Sequence, residues 1–142
     1  MQHIQIIPGR LEEIQKFEKI EWDKFDVKNW GKVKDWKLID YKFCAVVEEI
    51  TTGIIYGKFE AGSCYIDTLI VADAFRNMGI GTKLIKHVEE WTKDHEGIKT
   101  WLLTQKDWQA NKFYIKQGYN SAVILKKHFL GQDYVLYEKF LD

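Results

Sequence analysis

The chain of 142 residues contains little proline, cysteine or arginine, and it carries no net charge. Its single proline and ten glycines exclude a collagen-like or Pro/Gly-rich disordered protein. Its 21 acidic and 21 basic residues cancel, and its 46% hydrophobic content excludes a highly charged disordered chain. Cys44 and Cys64 are too few for a disulfide framework and lie at no zinc-ligand spacing. We therefore expect two reduced thiols, no metal site and a cytoplasmic protein.

Long hydrophobic runs are also missing. Apolar runs such as Cys44–Val47 are far too short for a transmembrane helix, and residues 1–8 lack the basic and apolar segments of a secretory signal. The balanced charge argues against a nucleic-acid-binding domain, because such domains usually carry a basic excess. No repeat or Pro/Ser/Gly linker divides the chain, so we expect one domain over residues 1–142, with neither a membrane nor a nucleic acid as partner.

Hydrophobic periodicity predicts a mixed α/β protein. Alternation over His3–Ile7 indicates a first strand, and helical spacing over Leu11–Phe25 indicates a helix. Turn residues at Thr51–Gly53 and 61–63 divide residues 41–71 into a three-strand meander. The remaining predicted elements are a helix from Ile80, a strand over Ile98–Thr104, a helix over Trp108–Gln117, and strands over Tyr119–Leu125 and Tyr134–Phe140. This order predicts a single, mostly antiparallel sheet with helices on both faces.

The turn between the strand ending at Val71 and the following helix carries the clearest chemical signal. Gly79 and Gly81 open that helix, whose first N–H groups have no intrahelical partner and lie at the positive end of the dipole. Glycine allows an anion to approach those N–H groups, and Arg76, one of only two arginines, adds a bidentate cation. A Walker loop is excluded because its Gly-Lys-Ser/Thr ending is absent, and a dinucleotide fingerprint because Leu84 replaces its third glycine. The pattern predicts a phosphate-binding turn, with a tight turn that binds no ligand as the alternative.

Two motifs give the sequence a family resemblance. Arg76-Asn77-Met78-Gly79-Ile80-Gly81 fits the pattern Arg/Gln-x-x-Gly-x-Gly/Ala, and residues 110–119 fit Ala-x-x-Phe/Leu-Tyr-x-x-x-Gly-Phe/Tyr. In this respect the chain resembles the GNAT superfamily, the Gcn5-related N-acetyltransferases, from Phe43 to its C-terminus. It departs from the family pattern at Asp73, where proline is common, and at Asp107, where an asparagine often contacts the pantetheine arm.

The resemblance implies the GNAT acyl-CoA N-acyltransferase fold and acetyl-CoA as co-substrate, with acetyl transfer to a primary amine of a small molecule or a peptide. Family members often pair through their C-terminal strands, so the resemblance also allows a homodimer. A non-catalytic CoA-binding or interaction domain is the alternative. The cofactor contacts that the resemblance implies are the pantetheine arm along Leu69, Ile70 and Val71, the pyrophosphate on the N–H groups of Arg76, Asn77, Met78, Gly79, Ile80, Gly81 and Thr82, and further contacts from Asn111 and Tyr114.

Two residues are candidates for proton transfer. Tyr114 stands at the position of the family's general acid, and its phenol, with an ordinary pKa of about 10, can protonate a leaving thiolate. A backbone N–H near Val71 would stabilise the oxyanion, as is usual in the family. No motif fixes the general base. Asp67 is the best candidate because a carboxylate in an apolar strand, two residues before Leu69, is unusual unless it is paired or functional; Tyr65, Glu60 and an ordered water are alternatives.

Overall fold

The structure, a computed structural model, describes residues 2–142. It consists of two compact units, one extending to Trp36 and the other comprising Lys37–Asp142. The elements in chain order are α1 (Leu11–Trp30), β1 (Ile39–Val47), β2 (Ile50–Glu60), β3 (Ser63–Val71), a 3-10 turn (Asp73–Phe75), α2 (Ile80–Asp94), β4 (Lys99–Gln105), α3 (Ala110–Lys116), β5 (Asn120–Phe129) and β6 (Gln132–Phe140).

The first unit contains α1. This helix ends at Gly31, whose left-handed φ of 78° lets its N–H donate to the carbonyl of Val27 over 2.9 Å. An ion pair between Lys19 and Asp23, four residues apart, lies on its exposed side. The prediction of a strand over His3–Ile7 is wrong, because residues 2–10 form neither a helix nor a strand. Alternation alone does not make a strand, since a strand needs a partner to pair its backbone groups.

The second unit contains a single sheet of six strands in the order β1-β2-β3-β4-β6-β5. β1, β2 and β3 form the predicted antiparallel meander, and β5 and β6 form the predicted final hairpin. Only β3 and β4 are parallel, which requires the crossover through α2. The prediction of a mixed, mostly antiparallel sheet is therefore confirmed.

The predicted turn at Thr51–Gly53 is wrong, because these residues lie inside β2. The chain instead reverses at Glu48 and Glu49, which adopt positive φ values of 48° and 65°. A Cβ at Gly53 would lie 3.1 Å from the side chains of Ile80 and Leu84. The glycine is thus explained by the close approach of α2 to β2 rather than by a turn.

The core lies between the sheet and α2. Ile85 and Val88 of α2 are fully buried with Ile55 of β2, at 0% exposure each. α3 packs beside α2 on this side of the sheet, because a Cβ on Gly81 of α2 would lie 3.3 Å from the ring of Phe113 and the Gln117 side chain donates to Thr82 of α2. The Tyr137 hydroxyl of β6 holds α3 from the sheet by donating to Asn111. The two helices that follow β3 and β4 are therefore held together on one face of the sheet.

Candidate functional site

A split in the sheet sets the place of the site. β3 and β4 are paired only from Ser63 to Ile66, and Leu102 is the last partner in β4. Asp67 is the first residue beyond the split, and it is also the extra residue of a bulge, because Ile66 pairs with Gly57 and Thr68 with Tyr56. The edge of β3 that faces β4 therefore has no strand partner from Asp67 to Val71 in the part of the chain that the structure describes.

The bulge is built around Gly57. A Cβ at this position would lie 1.9 Å from the carbonyl oxygen of Tyr65 and 2.7 Å from the hydroxyl of Tyr41. The Tyr41 hydroxyl donates to that same carbonyl over 2.8 Å, so the buried oxygen is paired. Burial, followed by the nearby Cys64, raises the pKa of Tyr41, which keeps the phenol in its donating form. Gly57 and Tyr41 together stabilise the backbone just before the split.

The turn between β3 and α2 presents a run of unpaired N–H groups. The N–H groups of residues 77–82 donate no hydrogen bond to a backbone or side-chain acceptor among residues 2–142. The first N–H with a partner is that of Lys83, which donates to the Gly79 carbonyl over 3.0 Å. Asn77 and Gly79 adopt left-handed φ values of 64° and 80°. Consecutive unpaired N–H groups at the start of a 15-residue helix form a concave donor site for an anion.

The two glycines of this turn have different surroundings. A Cβ on Gly79 would meet nothing within 4 Å, whereas one on Gly81 would lie 3.3 Å from the ring of Phe113 and 3.8 Å from Val71. Gly79 is thus explained by its φ, and Gly81 by the close contact between α2 and α3. The open space that the sequence predicts at both glycines is present at Gly79, whereas Phe113 and Val71 border that space at Gly81.

Arg76 folds back onto the turn itself. Its Nε donates to the carbonyl of Val71 over 3.3 Å, and its Nη1 lies 3.2 Å from Asp73. Asp73 is therefore the partner of the Arg76 guanidinium. It occupies the position at which proline is common in the family pattern described above. Both side chains are largely exposed, so this pair orders the turn without burying charge.

Tyr114 is buried on α3, with 8% of its surface exposed. Its ring lies 5.2 Å from that of Phe113 and 6.0 Å from that of Tyr119, measured between centroids. Desolvation raises the pKa of Tyr114 to about 12. Its hydroxyl makes no hydrogen bond to any of the residues that the structure describes, so its proton is available to a bound molecule.

Asn111 lies one turn before Tyr114 and is fully engaged within the protein. Its Nδ2 donates to the carbonyls of Gln105 and Trp108 over 3.0 and 2.6 Å, and its Oδ1 accepts from the Tyr137 hydroxyl over 2.8 Å. These bonds fix the start of α3 to the end of β4. Asp107, which replaces the family's asparagine, has a left-handed φ of 71° in the same loop.

The base candidates differ in position. Asp67 is exposed at the split, and its carboxylate accepts from the Thr68 hydroxyl over 2.9 Å. Partial burial and then the charge of Asp67 raise the pKa of Tyr65, whose phenol therefore stays protonated at neutral pH. Glu60 ends β2 opposite Ser63, at the other end of β3 from Val71. The structure brings Asp67, but not Glu60, next to the split.

Sequence analysis missed a set of polar residues behind the turn. Gln117 donates to the Thr82 hydroxyl over 2.9 Å, and the buried Glu89 of α2 accepts from Lys139 and Tyr119. Thr82 and Glu89 are two helical turns apart, and that spacing was the one available sign that they share a face. Over residues 2–142, no group of three His, Cys, Asp or Glu side chains could hold a metal ion, and no helix is long and apolar enough to cross a membrane.

Comparison with known proteins relates the chain to acetyltransferases. Residues 11–119 match the model of the acetyltransferase (GNAT) family. An uncharacterized N-acetyltransferase of Methanocaldococcus jannaschii is 30% identical over 102 residues, which cover 68% of this chain and 65% of that protein. The chain thus spans slightly less than two thirds of the length of that relative.

Solved structures share the fold. An acetyltransferase from Bacillus cereus superimposes with a TM-score of 0.76 at 23% identity, over 99% of this chain and 98% of that one. An aminoglycoside 6'-N-acetyltransferase complexed with coenzyme A gives a TM-score of 0.65 at 15% identity, over 91% and 89% of the two chains. With the family model matching most of its length, the chain belongs to the GNAT family of acetyltransferases.

Proposed function

We propose that this chain is an acetyl-CoA-dependent N-acetyltransferase that acts on a primary amine of a small molecule or a peptide. The observation that carries the proposal is the run of unpaired N–H groups at residues 77–82 next to a split sheet edge. The N–H groups would bind the pyrophosphate, and the free edge of β3 at residues 69–71 would pair with the pantetheine arm. When bound, acetyl-CoA supplies a thioester whose carbonyl carbon an amine can attack, with the thiolate as leaving group.

Tyr114 is proposed to donate its proton toward the leaving sulfur. With a pKa of about 12, the phenol is protonated throughout the neutral range and is always in the donating form. A thiol of ordinary pKa, about 8.5, is a stronger acid than this phenol. Tyr114 therefore stabilises the leaving thiolate first by a hydrogen bond. The phenoxide that forms when its proton passes to sulfur is reprotonated by the proton that the amine gives up.

Asp67 is proposed to accept that proton from the amine. It lies exposed at the point where β3 and β4 separate, and its partner there is the neutral Thr68 hydroxyl. A carboxylate at this place attracts a protonated amine and takes up its proton, directly or through water. An N–H of β3 near Val71 would donate to the carbonyl oxygen as negative charge develops on it.

The test is release of free thiol from acetyl-CoA with a panel of diamines, amino acids, amino sugars and peptides. We expect release that depends on the amine, and a fall in kcat of about 100-fold or more in Tyr114→Phe, with a nearly unchanged KM for acetyl-CoA. Tyr56→Phe, on an exposed residue of β2, is the matched control and should keep wild-type kcat. CoA binding without release for any amine would instead support a non-catalytic CoA-binding domain.

A second variant tests the base. Asp67→Asn should lower kcat/KM on the acidic side of the pH profile, where the carboxylate is needed to take the amine's proton. Asp40→Asn, on an exposed residue of β1, serves as its control. An unchanged profile in Asp67→Asn would assign proton removal to water.

A further inference from the structure

A buried ion pair lies behind the phosphate-binding turn. Glu89 of α2 has 6% exposure, and its Oε1 lies 3.0 Å from the Nζ of Lys139 on β6. Its Oε2 accepts from the Tyr119 hydroxyl over 2.9 Å, and that hydroxyl in turn accepts from Thr100 over 2.7 Å. Apolar residues of similar volume often stabilise a core as well as a buried ion pair does. Stability alone therefore does not explain this buried pair, and a role in positioning other residues would explain it.

Lys139 connects this pair to the end of α3. Its Nζ also donates to the carbonyl oxygen of Gln117 over 2.9 Å. The side chain of Gln117 reaches α2 at a second point, where its Nε2 donates to the Thr82 hydroxyl oxygen over 2.9 Å. Thr82 and Glu89 are separated by two turns, about 10 Å along the helix axis. Gln117 is thus attached to one face of α2 by its backbone and by its side chain.

The segment held in this way carries Tyr114. The Gln117 N–H is shared between the carbonyls of Phe113 and Tyr114, at 3.1 Å each, and the Tyr119 N–H donates to the Tyr114 carbonyl over 3.0 Å. Both residues that donate to the Tyr114 carbonyl therefore connect to Glu89, one through Lys139 and one directly. The backbone that carries the phenol therefore cannot shift relative to α2 without breaking these bonds.

Thr82 belongs at the same time to the phosphate-binding turn. Its N–H is one of the unpaired groups at the start of α2. Its hydroxyl oxygen accepts from Gln117, which occupies one lone pair and leaves the hydroxyl hydrogen to donate elsewhere. Within the described part of the chain that hydrogen has no acceptor, and a phosphate oxygen on the turn would supply one.

We propose that Gln117 is a positioning residue that, held by Lys139 and Glu89, fixes Tyr114 relative to the phosphate-binding turn and leaves the Thr82 hydroxyl free to donate to a phosphate. This inference rests on the function proposed above for Tyr114 and the turn. Neither Gln117 nor Glu89 touches the reacting atoms. Their effect passes through Thr82 on one side and Tyr114 on the other.

The first experiment measures CoA affinity by calorimetry in Gln117→Leu, Thr82→Val and the double variant. We expect each single change to raise the Kd for CoA about tenfold, as for the loss of one hydrogen bond to a charged group, and the double change to raise it no further. Thr82→Ser, which keeps the hydroxyl, should retain wild-type affinity. Gln132→Leu, at an exposed glutamine, is the matched control. Fold-changes that multiply in the double variant would overturn the Thr82 part of the proposal.

The second experiment titrates the thiol of bound CoA by the ultraviolet absorbance of its thiolate. This measurement requires no amine substrate. A hydrogen bond from Tyr114 should lower the pKa of the bound thiol, so Tyr114→Phe should raise it. Gln117→Leu and the isosteric Glu89→Gln should raise it in the same direction, and neither should add to the effect of Tyr114→Phe. Lys139→Met replaces Glu89→Gln if that variant does not fold.

The outcomes separate the two proposals. A shift in Tyr114→Phe but not in Gln117→Leu, Glu89→Gln or Lys139→Met would overturn the positioning role while leaving the general acid intact. No shift in Tyr114→Phe would refute the proposed acid, and with it the Tyr114 part of this inference. The Thr82 part would still be decided by the first experiment.

Discussion

Gly79 and Gly81 stand two residues apart in the same turn, and alanine at each should have opposite consequences. Gly79 has a φ of +80° with open space around it, so Gly79→Ala imposes left-handed strain without a clash. That strain costs about 1–2 kcal/mol. At about 4 °C per kcal/mol for a chain of this size, the melting temperature should fall by about 4–8 °C.

Gly81 lies within α2, and Gly81→Ala places a Cβ 3.3 Å from the Phe113 ring of α3. Replacing a helical glycine by alanine stabilises a helix by up to about 1 kcal/mol, and the tight contact with the ring offsets part of this gain. The net change should stay within about 1 kcal/mol of zero in either direction. The melting temperature should therefore move by less than in Gly79→Ala.

The binding of CoA discriminates more sharply between the two. In Gly79→Ala any relief of the strain at φ +80° moves N–H groups of the turn, which should weaken CoA binding by about tenfold or more. Gly81→Ala should retain its affinity within about threefold, because its methyl group points at protein. Gly131→Ala is the matched control, since Gly131 has φ +71°, equally open surroundings and a place in the β5–β6 turn. If Gly79→Ala loses stability as Gly131→Ala does but binds CoA normally, the turn is not the phosphate site.

Three further effects follow from the bulge and from Tyr114. Gly57→Ala should destabilise the protein by about 3 kcal/mol or more in urea unfolding, because its Cβ would lie 1.9 Å from the Tyr65 carbonyl; a loss below about 1 kcal/mol would contradict this geometry. Tyr41→Phe should cost about 1–3 kcal/mol by leaving that carbonyl unpaired, and wild-type stability would mean that water replaces the hydroxyl. The raised pKa of Tyr114 contributes stability that is present below pH 10 and lost as the pH rises through about 12, amounting to about 3 kcal/mol. Tyr114→Phe should remove that part of the alkaline loss, and identical alkaline unfolding of the two proteins would show that the phenol is not desolvated.

The elements that sequence predicted well are those with a strong local period. β3, α2, β4 and the final hairpin fall within a few residues of the predicted bounds, since buried faces repeat there at strand or helix spacing. The errors fall on glycines and on short alternation. Gly53 suggested a turn because glycine is common in turns, but here it makes room for α2, and that requirement exists only in three dimensions.

The residues of the candidate site also fall into those that the sequence could predict and those that it could not. The turn proposed to bind phosphate and Tyr114 lie in contiguous motifs, so their proposed chemistry follows from residue order alone. The bulge at Asp67 could not, because it depends on the register with which β2 pairs with β3. The bonds of Gln117 and Glu89 could not be predicted either, since their partners Thr82 and Lys139 lie 35 and 50 residues away in the chain.

The place of α2 explains why these distant contacts matter. Its first turn carries the unpaired N–H groups, its Gly81 touches Phe113, and its Glu89 holds the residues that bond the Tyr114 backbone. A change that shifts α2 on the sheet, such as a larger residue at Gly53, should move the proposed phosphate site and Tyr114 together. It should lower stability while leaving their mutual geometry intact. A change at Gln117 alters that geometry with little loss of core, so CoA affinity and the pKa of the bound thiol should respond to it more than the melting temperature does.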